Sequence, residues 1–171
     1  MPAESFDPRA ILTALEREYV AYVLIGGLAR ILRGADETTD GVDIAPSLRA
    51  SNLPRLQRAL EALDAMPASG RRKTLDLAQL DQQPAVALKA RAGELQLVAS
   101  AAGTRGGYDD LRRGATREHI GQGLRPTVAS TADLARMAAA LGRDQDLQRL
   151  GQLRRIMELE VGLHRRRERE L

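Results

Sequence analysis

The chain has 171 residues, 43% of them hydrophobic, which is enough to bury the core of one domain. It has no cysteine, which excludes a disulfide scaffold and a thiolate zinc site, and no apolar stretch approaches the roughly 18–20 residues of a membrane span. The net charge of +3 favours nucleic acid only weakly, and the polar N-terminus is unlike a signal peptide. We therefore expect a single domain over residues 1–171 that is cytoplasmic and has no membrane partner.

Hydrophobic period, capping residues and turn signals predict an alternation of helices and strands. In the first half these are a helix from Asp7-Pro8 to about Glu18, a strand over Val20–Ile25, a short helix over Leu28–Leu32, a strand over Val42–Ala45 and a helix from Asn52 to about Leu63. The basic cluster Arg71-Arg72-Lys73 follows in a polar segment. In the second half they are a β-hairpin of Val86–Ala90 and Glu94–Ala99, a short helix over Tyr108–Ala115, a brief strand over Pro126–Ala129, a helix that Ser130 caps and Gly142 ends, and a final helix over Arg143–Glu170.

The most informative stretch is the glycine pair Gly26-Gly27 and the acidic segment after it. Two glycines after a strand let the backbone approach a phosphate closely, and the N–H groups at the start of a helix favour an anion. Asp40 and Asp43 come next, and carboxylates of this kind hold Mg²⁺ against a phosphate. The pattern is typical of the front half of a nucleotidyl-transfer site, although the glycines alone also suit a tight connection from strand to helix.

These motifs resemble the nucleotidyltransferase-fold toxins of bacterial abortive-infection and toxin–antitoxin systems, which belong to the polymerase-β-like superfamily. The family pattern is an apolar strand, Gly-Gly or Gly-Ser, a helix, and then Thr-x-Asp-x-Asp before an apolar residue. The matching segments, spread in the right order over roughly residues 15–150, are Gly26-Gly27, Thr39–Ile44, Gly93–Val98, Tyr108–Leu111, and Gly142-Arg143 with Asp146. The resemblance implies an α/β (α+β) fold, with a small mixed β-sheet and flanking helices over residues 1–129 and C-terminal helices over residues 130–171.

The chain departs from the family pattern at three positions, and each departure removes a charge. Gly41 stands at the first metal-binding Asp, Gln96 at the third carboxylate, and Ala138 at a lysine that contacts the triphosphate. Asp40 and Asp43 are three residues apart, which places them on opposite faces of a regular strand unless a bulge at Gly41 rotates Asp40 back.

Glu94 is a further candidate metal ligand on the predicted hairpin. It shares a face with Gln96 but lies one pleat, roughly 6.6 Å, away. The alternative is a solvated hairpin residue.

The candidate site residues follow from the motifs and the resemblance. They are Asp43 and Asp40 as catalytic residues, Asp43, Asp40 and Glu94 as metal ligands, and Gly26, Gly27, Arg30, Thr39 and Arg143 as nucleotide-binding residues. A solvated side chain is the alternative for Arg30, and a pair with Asp146 is the alternative for Arg143. The arginine-rich run from Arg165 to Arg169 either binds an acidic partner or RNA, or forms a solvated helix end.

Two functions remain open. The first, which the resemblance implies, is an Mg²⁺-dependent enzyme that transfers a nucleotide from a nucleoside triphosphate to RNA, tRNA included, or to protein. The second is a degenerate member that keeps the fold and acts by binding a nucleotide, RNA, a cognate antitoxin or a homologous subunit. The three departures fall on separate elements and all affect one site, which favours the second function. Mg²⁺ and a nucleoside triphosphate are the expected cofactors if binding is retained.

Overall fold

A computed structural model describes residues 5–70 and 75–171 of the chain. The predicted basic cluster Arg71-Arg72-Lys73 lies outside these residues. The helices are α1 (Pro8–Arg17), α2 (Gly26–Leu32), α3 (Leu53–Ala62), α4 (Tyr108–Leu111), α5 (Thr131–Leu141) and α6 (Asp144–Arg169), with a 3₁₀ helix over Leu77–Gln82. The strands are β1 (Tyr22–Ile25), β2 (Gly41–Pro46), β3 (Met66–Pro67), β4 (Ala85–Ala90), β5 (Gly93–Val98), β6 (Thr116–Arg117) and β7 (Thr127–Val128).

The strands form one mixed sheet with the order β3-β4-β5-β2-β1-β7-β6. Strand β2 lies at its centre, antiparallel to β1 and parallel to β5, and β1 runs parallel to β7. The predicted mixed sheet, the β-hairpin of β4 and β5 and the helical C-terminal third are confirmed, and the first two predicted strands are neighbours in the sheet.

The core is one cluster of buried hydrophobic side chains that joins the sheet to all six α-helices. α1 contributes Ile11, Leu12 and Leu15 at helical spacing, and α3, α5 and α6 each place buried side chains in the same cluster. All four residues of β1 are buried, which explains why the first strand reads as a continuous apolar run. No helix within residues 5–70 and 75–171 combines the length and apolar character needed to cross a bilayer.

Several predicted boundaries are wrong, each for a local reason. Val20 lies outside β1 because its N–H donates to the Leu15 carbonyl at 3.0 Å, in a Schellman motif that ends α1 with Tyr19 at a φ of 53°. The short helix α2 begins at Gly26 instead of Leu28. The predicted helix over Tyr108–Ala115 ends at Leu111, because Thr116 already pairs with Val128 in the sheet.

Strand β2 has no bulge at Gly41, so the rotation of Asp40 that the spacing left open does not occur. Gly41 is the first residue of β2 and lies opposite Glu94, with Val42 opposite Leu95 and Asp43 opposite Gln96 in unbroken register. Strands β3 and β6 have two residues each and the 3₁₀ helix has six, too few for a hydrophobic period to reveal them.

Candidate functional site

A cavity of about 580 Å³ lies where the start of α2, strands β2 and β5, and helices α5 and α6 converge. Its lining includes Gly26, Gly27, Asp43, Gln96 and Ala138, which belong to four different elements of the fold. These residues span more than 110 positions of the chain, from Gly26 to Ala138, yet the structure brings them together at one cavity.

The glycine turn and Asp43 are in direct contact. Ile25 lies opposite Asp43 in the β1–β2 pair, so Gly26 comes next to the Asp43 carboxylate. A Cβ at position 26 would overlap Asp43 Oδ2, and the φ of Gly26 is +70°, so both space and backbone conformation require glycine there. A Cβ at position 27 would lie 3.1 Å from Thr39 Oγ1, which places the motif threonine at the same turn.

Asp43 is a half-buried carboxylate, and Asp40 lies near it without a bulge at Gly41. Burial raises the pKa of Asp43, Arg30 and Arg149 oppose that rise, and the charge of Asp40 adds to it. Asp40 precedes β2, outside the pleat of the strand, and it still lines the cavity because the chain turns there. Two of the predicted acidic residues therefore border the same space.

Glu94 borders a second, smaller depression of about 330 Å³, which shares Asp40, Asp43 and Gln96 with the main cavity. Gln96, and not a carboxylate, is the β5 residue opposite Asp43. No group of three or more histidine or acidic side chains within residues 5–70 and 75–171 is arranged to hold a metal ion. The donor set does not fit a two-ion site, which needs several converging carboxylates. A role for Asp43, Asp40 and Glu94 as metal ligands stays a prediction.

Arg30 lines the cavity with its guanidinium already paired. It donates from Nε and Nη2 to the two carboxylate oxygens of Glu37, both at 2.9 Å, and both side chains are largely buried. The predicted alternative of a solvated arginine is therefore wrong. Glu37, which sequence reasoning missed, fixes Arg30 in one orientation through a bidentate contact.

Arg143 pairs with Asp146, as the alternative prediction had it, and the pair extends to Arg149, which sequence reasoning missed. Asp146 is 1% exposed and accepts from Arg143 Nε at 2.6 Å and from Arg149 Nη1 at 3.2 Å. These hydrogen bonds, that of Arg143 above all, hold the pKa of Asp146 below its usual range. Both arginines line the cavity, with side chains 55% and 31% exposed, so N–H groups remain free for a ligand. The spacing of three residues on either side of Asp146 is the signal that could have found this cluster.

Ala138 belongs to an apolar strip of α5 that lines the cavity. Leu134, Met137, Ala138 and Leu141 recur at helical spacing, and Ala138 is only 3% exposed. At Ala138 the cavity is therefore bounded by a packed apolar surface that carries no charge.

No protein-family model matches the chain, and no curated protein matches its sequence. Solved structures do match in fold. The lincosamide antibiotic adenylyltransferase LnuA, in its lincomycin-bound crystal structure, is 16% identical with a TM-score of 0.59, over 89% of this chain and 99% of its own. ANT(2'')-Ia in complex with adenylyl-2''-tobramycin is 14% identical with a TM-score of 0.53, over 92% of this chain and 94% of its own. The chain therefore has the nucleotidyltransferase fold.

Proposed function

We propose that the chain binds a nucleoside triphosphate in the 580 Å³ cavity and acts as a binding module in which nucleotidyl transfer is weak or lost. The observation that carries this proposal is the pairing of Asp43 with Gln96, where the resemblance places a third carboxylate. Phosphoryl transfer depends on positioned charge, so the loss of carboxylates at this point reduces catalysis more than it reduces binding.

The nucleotide part of the proposal rests on the size and lining of the cavity. Its volume falls within the range of about 300–1,000 Å³ that is usual for small-molecule sites. Gly26 and Gly27 line the cavity and have no side chain of their own to fill it, and Arg143 and Arg149 offer N–H groups suited to phosphate oxygens.

The resemblance to toxins supplies the proposed biological role. We infer a cognate antitoxin, a homologous subunit or RNA as the partner, as expected for a member of such a system that acts by binding. The C-terminal part of α6 supports an acidic partner or RNA, since Arg165, Arg166, Arg167 and Arg169 are all exposed there.

The second candidate is an active nucleotidyltransferase toxin, and the observation in its favour is that Asp40 and Asp43 both line the cavity. Asp43 and Asp40 are then the catalytic carboxylates, and RNA, tRNA or protein is the acceptor. The structures of LnuA and ANT(2'')-Ia contain lincomycin and an adenylylated tobramycin, so a small molecule is a further acceptor class to test.

Labelling separates the two candidates. The protein is incubated with each α-³²P nucleoside triphosphate, Mg²⁺, and total RNA, protein extract or an antibiotic panel, beside isothermal titration of the same nucleotides. The binding module predicts measurable nucleotide affinity with little or no label transferred. Robust labelling that is lost in Asp43→Ala and kept in the exposed control Asp36→Ala would overturn the binding module in favour of the enzyme.

A carboxylate introduced at position 96 tests the proposal that the site is weakened by the lack of negative charge beside Asp43. Gln96 is only half-buried, so Gln96→Glu adds a charge beside Asp43 with little steric conflict, and we expect Mg²⁺–nucleotide binding to gain about 1–3 kcal/mol. Positions 41 and 138 suit this test less well. A Cβ at 41 would lie 3.2 Å from the Glu94 carbonyl oxygen, and a lysine at 138 would enter a packed wall. An unchanged affinity in Gln96→Glu would contradict the claim.

A further inference from the structure

We propose that one end of the cavity receives the nucleobase through contact with its faces alone, so that binding does not select among bases with the same number of rings. This inference rests on the proposed nucleotide binding and specifies its substrate class. The part concerned is the apolar wall, formed by Leu134, Met137 and Leu141 of α5 and by Ala85, Val98 and Ala101 at the open end of the β4–β5 hairpin.

The apolar wall begins beside the polar end of the cavity and leads away from it. Gln96 lies opposite Asp43, and Val98 follows two residues later on the same face of β5, roughly 6.6 Å farther along the strand. Ala85 lies opposite Val98 in the hairpin, which extends the apolar surface sideways. A nucleotide whose phosphates lie near Gly26 and Arg149 can therefore reach this wall with its base.

Helix α5 supplies the other part of the wall. From Leu134 to Leu141 the helix advances about 10 Å, which matches the long dimension of a purine together with its sugar. Met137 is half-buried and Leu141 is 49% exposed, so both still have apolar surface that a base can cover. Only 2% of the chain is aromatic, and these contacts are aliphatic.

Polar side chains are scarce at this end. Among the cavity-lining residues that the structure describes within 84–85, 98–102 and 134–141, Ser100 alone has a polar side chain. Ser100 and Arg143, which also lines the cavity two residues after Leu141, are both exposed to solvent. Strong rejection of a wrong base requires buried donors and acceptors that the wrong base leaves unpaired. The apolar wall has no buried polar side chain that a wrong base could leave unpaired, so it distinguishes ligands by the apolar area that they cover.

The test is isothermal titration of the full chain with ATP, GTP, CTP, UTP and inorganic tripolyphosphate in the presence of MgCl₂. We expect ATP and GTP to differ by less than about fivefold, CTP and UTP likewise, and purines to bind more tightly than pyrimidines. A larger difference within either pair would overturn the inference. Tripolyphosphate that binds as tightly as the nucleotides would overturn it too, while leaving the phosphate part of the proposed function intact. No binding of any of the five probes would overturn the proposed function itself and this inference with it.

A matched pair of variants locates the base. Leu141→Ala should weaken all four nucleotides by roughly fivefold and leave tripolyphosphate unchanged, because only the base loses contact area. Leu147→Ala is the control, since Leu147 is similarly exposed but does not line the cavity. The base would not lie at the apolar wall if Leu141→Ala weakened tripolyphosphate binding as much as nucleotide binding. The same conclusion would follow if Leu141→Ala and Leu147→Ala changed nucleotide affinity equally.

Discussion

Asp43 is the residue of the site whose negative charge is disfavoured both by burial and by a neighbouring carboxylate. Its carboxylate is half-buried against the backbone of Gly26, and Asp40 adds a second negative charge nearby. Burial and this like charge raise its pKa, which the cations of Arg30 and Arg149 reduce only in part. Such a residue lowers the stability of the ligand-free protein and is typical of a functional site.

The first prediction concerns the pH dependence of stability. Because the folded protein binds the Asp43 proton more tightly than the unfolded chain, its stability falls as pH rises from the ordinary pKa of aspartate through the raised one. Asp43→Asn should remove this loss and raise the melting temperature at neutral pH. Thermal denaturation between about pH 3 and pH 8 measures it. The exposed control Asp36→Asn should show no such gain, and a lower melting temperature for Asp43→Asn at pH 7 would contradict the prediction.

The second prediction concerns Asp146, which holds Arg143 and Arg149 at the cavity. Asp146→Asn keeps the size of the side chain but loses the charge, so we expect a stability loss of about 1–2 kcal/mol and roughly tenfold weaker nucleotide binding. Asp144→Asn is the control on the same helix, because Asp144 is exposed and does not line the cavity. Urea denaturation and calorimetry measure the two effects, and nucleotide affinity equal to that of the control would contradict a positioning role.

At the scale of elements, α6 is one helix with two environments. Its first part packs along α5, and Leu153 is fully buried. Glu160 accepts a hydrogen bond from Thr131 Oγ1 at 2.8 Å, and every residue from 161 to 171 is exposed. The end of the helix therefore contributes little to the core, and its arginines are available to a partner.

The third prediction is that deletion of residues 164–171 leaves the fold intact and weakens binding to RNA. Stability should change by less than about 0.5 kcal/mol, because the removed side chains bury little surface. Affinity for tRNA, measured by fluorescence anisotropy, should fall most at low salt, where charge contacts are least screened. Unfolding of the truncated chain would show that these residues belong to the core. Unchanged RNA affinity would contradict the prediction that the end of α6 binds RNA.

At the scale of the whole molecule, one core connects the sheet with the C-terminal helices. Leu134, Ala138 and Leu153 belong to the same buried cluster as the strands. Arg33 of the segment after α2 also donates to the carbonyl oxygens of Val128 and Ala129, which ties the first half of the chain to the start of α5. Because of these links, we expect the described residues before 130 and those from 130 to 171 to unfold as one cooperative unit.

The fourth prediction is therefore a single unfolding transition in urea. Far-UV circular dichroism, dominated by helices, and the fluorescence of the three tyrosines, of which Tyr22 in β1 is buried, should have the same midpoint. Leu153→Ala should move both midpoints together, with a loss of about 2–5 kcal/mol, because it leaves a cavity in the shared core. Separate midpoints would show that the C-terminal helices unfold independently.

The sequence by itself determined the fold class, most of the elements and the central part of the site. Hydrophobic period and capping residues influence the backbone only a few positions away, so α1, the hairpin of β4 and β5, and α6 were predictable from the local sequence. Gly26 and Asp43 were predictable as site residues from the order of the motifs, since glycines after a strand let another group approach the backbone closely; in the structure that group is the Asp43 carboxylate.

Only the tertiary structure decided how the remaining side chains meet. The resemblance implied that Gln96 lies near Asp43, but only the pairing of β2 with β5, strands some 50 residues apart, fixed the register that sets Gln96 opposite Asp43 and Glu94 opposite Gly41. The ion pair of Arg30 with Glu37 and the cluster around Asp146 depend on side-chain directions that only packing sets. The apolar wall likewise forms only where α5 packs beside the open end of the hairpin. It was not predictable, because the apolar residues of either segment look the same in sequence whether they contact a ligand or the core.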